Sequence, residues 1–381
     1  MKKTYDEINK KIAAGEAVIL TAEEVSKMAE TTSPEEIAKN VDVVTTATFG
    51  PMCSSGAFIN FGHADPPIRM EKIFLNGVEA YGGIAAVDTY IGVTQVSRDN
   101  PRYGGAHVIE ALIAGKDIEL KAQAPGTDCY PRKSINTKIN RDSVNEMIMF
   151  NPRNAYQNYP AATNSTSDKK YTYMGILLPK FGNVTYSTSG ELSPLLNDPE
   201  MRTIGIGTRI FLCGAQGYVS WHGTQFRTSE ELNTQGIPIS SSATLALIGD
   251  MKEMNPAYLK AAYYEKYGTS LFVGIGIPIP ILDEDIAHRV SIKNREIDTQ
   301  ICDYGVNGHP VVTTINYEQL QSGKITLNGK KVCTAPMSSL KKAREIAELL
   351  KNQIRNGKFY LTEPVQQFPK VSELNRLKEI D

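Results

Sequence analysis

Apolar residues in the first forty positions recur at helical spacing behind clear start signals. Thr4-x-x-Glu7 is a capping box ahead of Ile8 and Ile12, and Gly15 closes the helix it opens. Thr21-x-x-Glu24 starts a second helix carrying Val25 and Met28. Ser33-Pro34-Glu35-Glu36 starts a third, with proline in its first turn. Residues 41–46 are mostly β-branched and read as a buried strand feeding the loop Phe49-Gly-Pro-Met-Cys-Ser-Ser-Gly56. Short strand-like runs follow, separated by Gly82-Gly83 and Gly104-Gly105, with a short helix over residues 106–114 ended by Gly115. Residues 151–167 are almost uncharged and rich in Asn, Tyr, Thr and Ser, a composition that predicts a surface loop or a loop covering a ligand. Residues 171–178, 203–213 and 271–275 read as strands, and residues 257–267 as a helix. Asn328-Gly329 predicts a hairpin turn. Leu340, Ala343, Ile346, Ala347, Leu350 and Ile354 form one helical stripe, capped by Ser338 or Ser339 and closed by Gly357.

Helices interleaved with strands predict an α/β or mixed α+β class, with mixed sheets and glycine-rich loops at the site. No internal repeat or low-complexity linker divides the chain. Residues 1–360 therefore read as a single large catalytic unit, with room for two lobes, and residues 361–381 as a short C-terminal tail. The composition agrees, since 41% of the 381 residues are hydrophobic and 22% charged. With 41 basic against 42 acidic residues, no long-range field would gather nucleic acid or an anionic membrane. The N-terminus lacks the apolar core of a secretory signal. The longest apolar run, residues 271–282, is too short to span a bilayer and contains Pro278 and Pro280. The expected location is cytoplasmic.

The five cysteines stand at positions 53, 129, 213, 302 and 333, without a C-x-x-C or a Cys/His cluster. That pattern predicts free thiols, with no metal and no cofactor bound by this chain. Cys53 lies in a loop of small residues whose backbone amides can approach a ligand, and His63 ten positions later is a candidate base for its thiolate. Cys129 lies in Gly126-Thr-Asp-Cys-Tyr-Pro-Arg-Lys133, where Arg132 and Lys133 favour the thiolate and Asp128 opposes it. Cys213, Cys302 and Cys333 sit in or beside apolar strand patterns and read as packing residues. His107 follows Tyr103-Gly-Gly at the start of a helix, and His222 sits in a polar turn after Trp221. Arg153 in Asn151-Pro-Arg-Asn-Ala-Tyr-Gln-Asn158 suits a substrate carboxylate, with Asn154 beside it and Ser54 and Ser55 next to Cys53. Gly205-x-Gly207 and Gly274-x-Gly276 lack the third glycine of a dinucleotide fingerprint.

Thr48-Phe-Gly-Pro-Met-Cys-Ser-Ser-Gly-Ala-Phe, Asn60-Phe-Gly-His-Ala-Asp-Pro-Pro-Ile, Tyr103-Gly-Gly-Ala-His-Val-Ile-Glu, Gly126-Thr-Asp-Cys-Tyr-Pro-Arg and Asn151-Pro-Arg-Asn-Ala-Tyr-Gln-Asn resemble the homocysteine biosynthesis, or L-aspartate semialdehyde sulfurtransferase, family of anaerobic archaea and bacteria. The likeness runs from about residue 20 to residue 360. It implies incorporation of sulfide-level sulfur into L-aspartate 4-semialdehyde to give L-homocysteine, with sulfide or another sulfur donor as co-substrate. Two cysteines of the family match Cys53 and Cys129, and Cys129 matches the essential one. The residue chemistry fits that reaction with Cys129 as a persulfide, or as a thiolate adding to the aldehyde carbon, and with Cys53 resolving the persulfide through a disulfide. His63 or His107 would move the proton, and Arg153 or Arg132 would hold the carboxylate. Electrons would come from a separate ferredoxin-like iron–sulfur protein. The CBS modules of some relatives are not expected here, and a homo-oligomer stays open. Two rivals also stand: an acyl- or CoA-transferase-like enzyme, and a non-catalytic sulfur-carrier subunit.

Overall fold

The computed structural model describes residues 2–154, 157–227, 231–240, 243–369, 374–375 and 377–379. The three N-terminal start signals form the helices Tyr5–Ala14, Ala22–Met28 and Pro34–Asn40, each with its capping box closed in both directions. Their apolar residues Ile8, Ile12, Val25 and Ile37 join one buried cluster with Val43, Val44 and Phe49 of the strand Val43–Pro51. The C-terminal helix Leu340–Arg355, capped by the Ser339 hydroxyl, adds Ala343, Ile346, Leu350 and Ile354 to the same cluster. A helical layer therefore covers one face of this strand and of its neighbour, Gly268–Pro280. The apolar run near residue 271 is this neighbour, a strand buried almost throughout. Gly274 and Gly276 serve that packing, because a Cβ there would lie 2.9 Å from Ile346 Cδ1 and 3.1 Å from Leu350 Cδ2.

Among the described residues fourteen strands form one mixed sheet. From one edge it runs Ile19–Thr21, Val43–Pro51, Gly268–Pro280, Arg209–Leu212, Ala215–His222, Leu245–Asp250 and Glu146–Asn154. It continues with Gly56–Asn60, Asp88–Gly92, Val78–Tyr81, Lys72–Leu75, Ile118–Gln123 and Ser134–Ile139, while Leu259–Tyr264 pairs with Gly268–Pro280 from the side. Six ladder steps separate Val43–Pro51 from Gly56–Asn60, roughly 29 Å in a flat sheet. The link between them, Pro51 to Gly56, reaches at most about 18 Å. The sheet must curl back on itself, and it does so around the helix Gly105–Ile113. Val108, Ile109, Leu112 and Ile113 of this helix share one core with Ala57, Ile59, Met147, Leu247, Leu212 and Val273 from the strands. The mixed class expected from the sequence is the one observed.

Close contact between this helix and the sheet yields the first testable outcome. A Cβ on Gly105 would sit 1.9 Å from the Gly92 carbonyl oxygen and 2.8 Å from its carbon, both backbone atoms. Gly105→Ala should lower stability by about 3 kcal/mol in denaturant titration. Gly115→Ala meets nothing within 4 Å and pays only for its φ of +71°, about 1 kcal/mol.

A second sheet of six strands runs Val311–Asn316, Asp298–Asp303, Ala161–Thr163, Asn183–Tyr186, Lys330–Pro336 and Lys324–Leu327. Asn328 and Gly329, with φ of 48° and 75°, close its last hairpin as expected. Four sequence expectations fail, the first at residues 171–178, which form a hairpin of Lys170–Thr172 and Gly175–Leu177 instead of one strand. Residues 257–267 contain the strand Leu259–Tyr264, paired from Leu259↔Val273 to Tyr264↔Gly268, instead of a helix. Lys266 (φ 56°) and Gly268 (φ 122°) turn the chain sharply there, and the ladder overrides the helix preference of Lys and Ala. Within residues 203–213 only Arg209–Leu212 is strand. Residues 151–167 are no surface loop, because Asn151, Asn154, Gln157, Asn158, Thr163 and Asn164 are all buried. Their segment crosses from the large sheet to the small one. Gln157 donates to the carbonyls of Leu195 (3.2 Å) and Pro199 (2.8 Å), and Asn158 to those of Pro238 (2.6 Å) and Asp298 (2.7 Å). Polar composition here marks buried amides satisfying backbone between elements.

A candidate active-site cleft at the sheet seam

Cys53 sits in the turn that closes the curled sheet. Met52 N–H bonds Leu271 O at 2.7 Å, Ser55 N–H returns to Met52 O at 3.2 Å, and Val93 N–H holds Ser55 O at 2.9 Å. The turn is also fastened to the strand that carries Arg153. The Ser54 hydroxyl lies 2.9 Å from Asn151 Oδ1 and 2.7 Å from Arg153 O, and Asn151 Nδ2 donates to Ser55 Oγ at 2.8 Å. Asn151 Oδ1 in turn accepts from the Arg153 N–H. Ser55 is thus a buried brace, and the Ser54 hydroxyl is taken up by the same fastening.

This bracing aims Cys53 and Arg153 into a cleft of about 750 Å³ between the two sheets. Cys53, Ser54, Arg153, Tyr159, Tyr173 and Arg227 line it, together with Thr244, Tyr267, Ser270 and Ser338. Arg153 Nη1 donates to Gln225 Oε1, while its Nε is buried and has no hydrogen-bond partner among the described residues. Burial pushes the Tyr264 phenol up to about 12, and the nearby Cys53 sulfur adds to the effect. Asn154 is fully buried, in register with Leu245, and does not line the cleft. Ala155 and Tyr156 of the same motif lie outside the described residues.

Cys129 is elsewhere. It is exposed in the loop between Ile118–Gln123 and Ser134–Ile139. Arg132 ties that loop to the segment after Gly56–Asn60, with Nη2 on Asp65 O at 2.6 Å and its N–H on Pro67 O at 3.2 Å. The His63 ring stacks on Tyr130 with centroids 6.3 Å apart. Cross-strand register fixes how far this group is from Cys53. Phe58, Tyr90, Tyr81, Lys72 and Gln123 form one row across the sheet, and Gly56–Asn60 runs in the same direction as Ile118–Gln123. Cys53 precedes the first strand and Cys129 follows the second, so they lie off opposite ends of a strand about 13 Å long. A disulfide needs Cα atoms within about 7 Å, so the expected pairing of Cys53 with Cys129 is not made within this fold. His63, paired with Cys53 by spacing, belongs to the Cys129 surface, as does Arg132.

A family model for homocysteine biosynthesis enzymes of sulfur incorporation matches residues 17–361. The chain belongs to this homocysteine biosynthesis family. An L-aspartate semialdehyde sulfurtransferase of Methanocaldococcus jannaschii is 54% identical over 381 residues, 95% of this chain and 72% of that protein. One of the same name from Methanosarcina acetivorans is 50% identical over 382 residues, 100% of this chain and 74% of that protein. No solved structure matches the chain.

In this homocysteine biosynthesis enzyme the other sequence candidates lie outside the cleft lining. His107 lies in the first turn of Gly105–Ile113, its Nδ1 accepting from the Gly104 N–H at 3.2 Å and its ring stacked on Tyr103. Burial lowers its pKa despite the opposing pull of Glu110. It is not among the cleft-lining residues. His222 packs among Trp221, Phe226 and Phe368. Cys213 and Cys302 are buried, as packing cysteines should be, whereas Cys333 is exposed on its strand. Sequence reasoning missed Arg227, Tyr159, Tyr173 and Tyr267. The one signal for Tyr159 was the uncharged composition of residues 151–167, which also suggested a ligand. Among the described residues no helix is long and apolar enough to cross a membrane.

Proposed function

We propose that this enzyme incorporates sulfide-level sulfur into L-aspartate 4-semialdehyde, forming L-homocysteine, in the cleft that Cys53 shares with Arg153 and Arg227. The names of the two half-identical relatives supply the substrate. The observation that carries the assignment of the cleft is that Cys53 and Arg153 line it together, with the buried Arg153 Nε unpartnered among the described residues. An anionic aldehyde fits that pair, its carboxylate on Arg153 and its carbonyl carbon before the sulfur.

With sulfide as donor the balance is one aldehyde, one hydrogen sulfide, two electrons and two protons in, and one homocysteine and one water out. The aldehyde carbon exchanges its bond to oxygen for a bond to sulfur and is then reduced. If the sulfur travels as a cysteine persulfide, two further electrons and two protons release it and restore the thiol. A ferredoxin-like iron–sulfur protein is the electron source in this reading. Exposed Cys129, flanked by Arg132 and Lys133, is the thiol that a protein-sized sulfur donor reaches, and Cys53 is the thiol that meets the aldehyde.

An anaerobic assay of homocysteine formation from L-aspartate 4-semialdehyde, sulfide and a low-potential reductant tests the reading. Wild-type protein should turn over. Arg153→Ala should raise KM for the aldehyde by roughly 10- to 100-fold, the value of one charge-assisted hydrogen bond, with a smaller change in kcat. Absence of wild-type product under these conditions, or an unchanged KM in the variant, would overturn the assignment.

A further inference from the structure

Cys53 and Arg153 share the cleft with neither of the two histidines considered as proton carriers. Yet the reaction needs an acid. When sulfur adds to an aldehyde, the carbonyl π pair moves onto oxygen, and that oxygen takes one proton to become the adduct's hydroxyl and a second, given up by the added sulfur, to depart as water. The cleft wall holds phenols suited to the task. Tyr159 and Tyr173 both line it, and their hydroxyl oxygens are 2.5 Å apart. The Tyr173 hydroxyl is also 2.9 Å from that of Tyr304, which lies behind the lining. Edge-on ring packing fixes the group, with centroids 6.0 Å apart for Tyr159–Tyr173 and 5.9 Å for Tyr173–Tyr304. Tyr304 stacks flat on exposed His309 at 4.1 Å, which places the far end of the group near the surface.

A hydrogen-bonded row of hydroxyls can pass a proton from end to end, each oxygen receiving one as it gives one. We propose that Tyr159 is the catalytic acid for the aldehyde oxygen, with Tyr173 and Tyr304 positioning its hydroxyl and returning its proton. The proposal rests on the reading of the Cys53 cleft as the sulfur-incorporation site. In the step, a sulfur lone pair forms the C–S bond and the π pair becomes an oxygen lone pair. Tyr159 gives its proton to that oxygen and is refilled from Tyr304, through Tyr173 or directly, since all three hydroxyls are mutually bonded, and water refills Tyr304. No electrons are exchanged with a reductant until later. Burial pushes the phenols of Tyr159 and Tyr304 up, which keeps the donors protonated at working pH. The Arg153 charge works in the opposite sense at Tyr159 and eases departure of its proton.

The test measures homocysteine formation by wild type, Tyr159→Phe, Tyr173→Phe and Tyr304→Phe, with solvent-deuterium proton inventories for each. Tyr159→Phe should lower kcat by about 100-fold and leave KM for the aldehyde nearly unchanged. Tyr173→Phe and Tyr304→Phe should lower kcat by about 10-fold and straighten a proton inventory that is curved in wild type. A packing role alone would not move the inventory. Placing 3-fluorotyrosine at 159 keeps the hydroxyl and the fold but acidifies the phenol, so the alkaline limb of the pH profile should move to lower pH. An active wild type with Tyr159→Phe within about twofold of it, or an alkaline limb unmoved by fluorination, would overturn the acid assignment while leaving the cleft assignment intact. An inactive wild type would count against the cleft assignment itself.

Discussion

Cys53→Ala should abolish homocysteine formation, by about a thousandfold or more, in a protein that still folds. The thiol is half-buried in a turn held by backbone bonds and by Ser54 and Ser55, so losing the sulfur leaves the turn's fastening intact. The expected stability change is within about 1 kcal/mol. Cys129→Ala should behave differently. The family resemblance makes Cys129 the essential cysteine, but its thiol is exposed off the other end of the sheet, so its loss should stop turnover with a protein persulfide donor, while excess free sulfide entering the Cys53 cleft restores it. Paired assays with the two donors separate the cysteines. Cys129→Ala inactive with both donors, or Cys53→Ala active with either, would reverse the roles given to the two thiols.

Asp42→Ala carries the largest expected cost in stability, about 3–5 kcal/mol. The Asp42 side chain is buried and accepts from Lys3 Nζ at 2.9 Å, Lys11 Nζ at 2.7 Å and the Val18 N–H at 3.0 Å. Lys3 is 8% exposed, and without Asp42 its ammonium keeps only the Val41 carbonyl at 2.7 Å. Burial alone would raise the Asp42 carboxyl, but the bonds from Lys11, Val18 and Lys3 outweigh it and hold it below the usual carboxylate range. A carboxyl lowered by folding contributes its full stability above its unfolded pKa of about 3.9, and that contribution fades as pH falls through the lower folded value. The gap between wild type and Asp42→Ala in urea titrations should therefore be wide at pH 7 and shrink below about pH 4. A gap independent of pH would mean that Asp42 acts by shape alone. The residue matters to the site because Val43, the next in the chain, begins the strand that ends at the Cys53 turn.

Local signals were the legible part of the fold. The capping boxes at Thr4, Thr21 and Ser33, the Asn328-Gly329 turn and the stripe from Leu340 to Ile354 depend on neighbours within a few residues, and all form as read. Residues 257–267 were misread because their decisive partner is the strand Gly268–Pro280, and residues 151–167 because buried amides and surface amides have the same composition. At the site, Cys53 and Arg153 were found from residue chemistry, and the cleft unites them. Grouping His63 with Cys53 failed because ten positions of chain include a full strand, which carries His63 to the opposite end of the sheet. Tyr173 and Tyr304 could not be joined to Tyr159 from sequence, since their hydroxyls meet only once Ala161–Thr163 pairs with Asp298–Asp303 and the hairpin of Lys170–Thr172 and Gly175–Leu177 folds onto that pair.

The seam of the curled sheet also bears on how activity is acquired and lost. The cleft draws on residues from Thr48 to Ser338, and its thiol sits on the link that spans the closure. Contacts so distant along the chain are costly in loop entropy and form late. The cleft therefore has no autonomous folding unit beneath it. It arises only when strands and loops from most of the polypeptide have come together. The state of the cleft is in effect a gauge of global integrity.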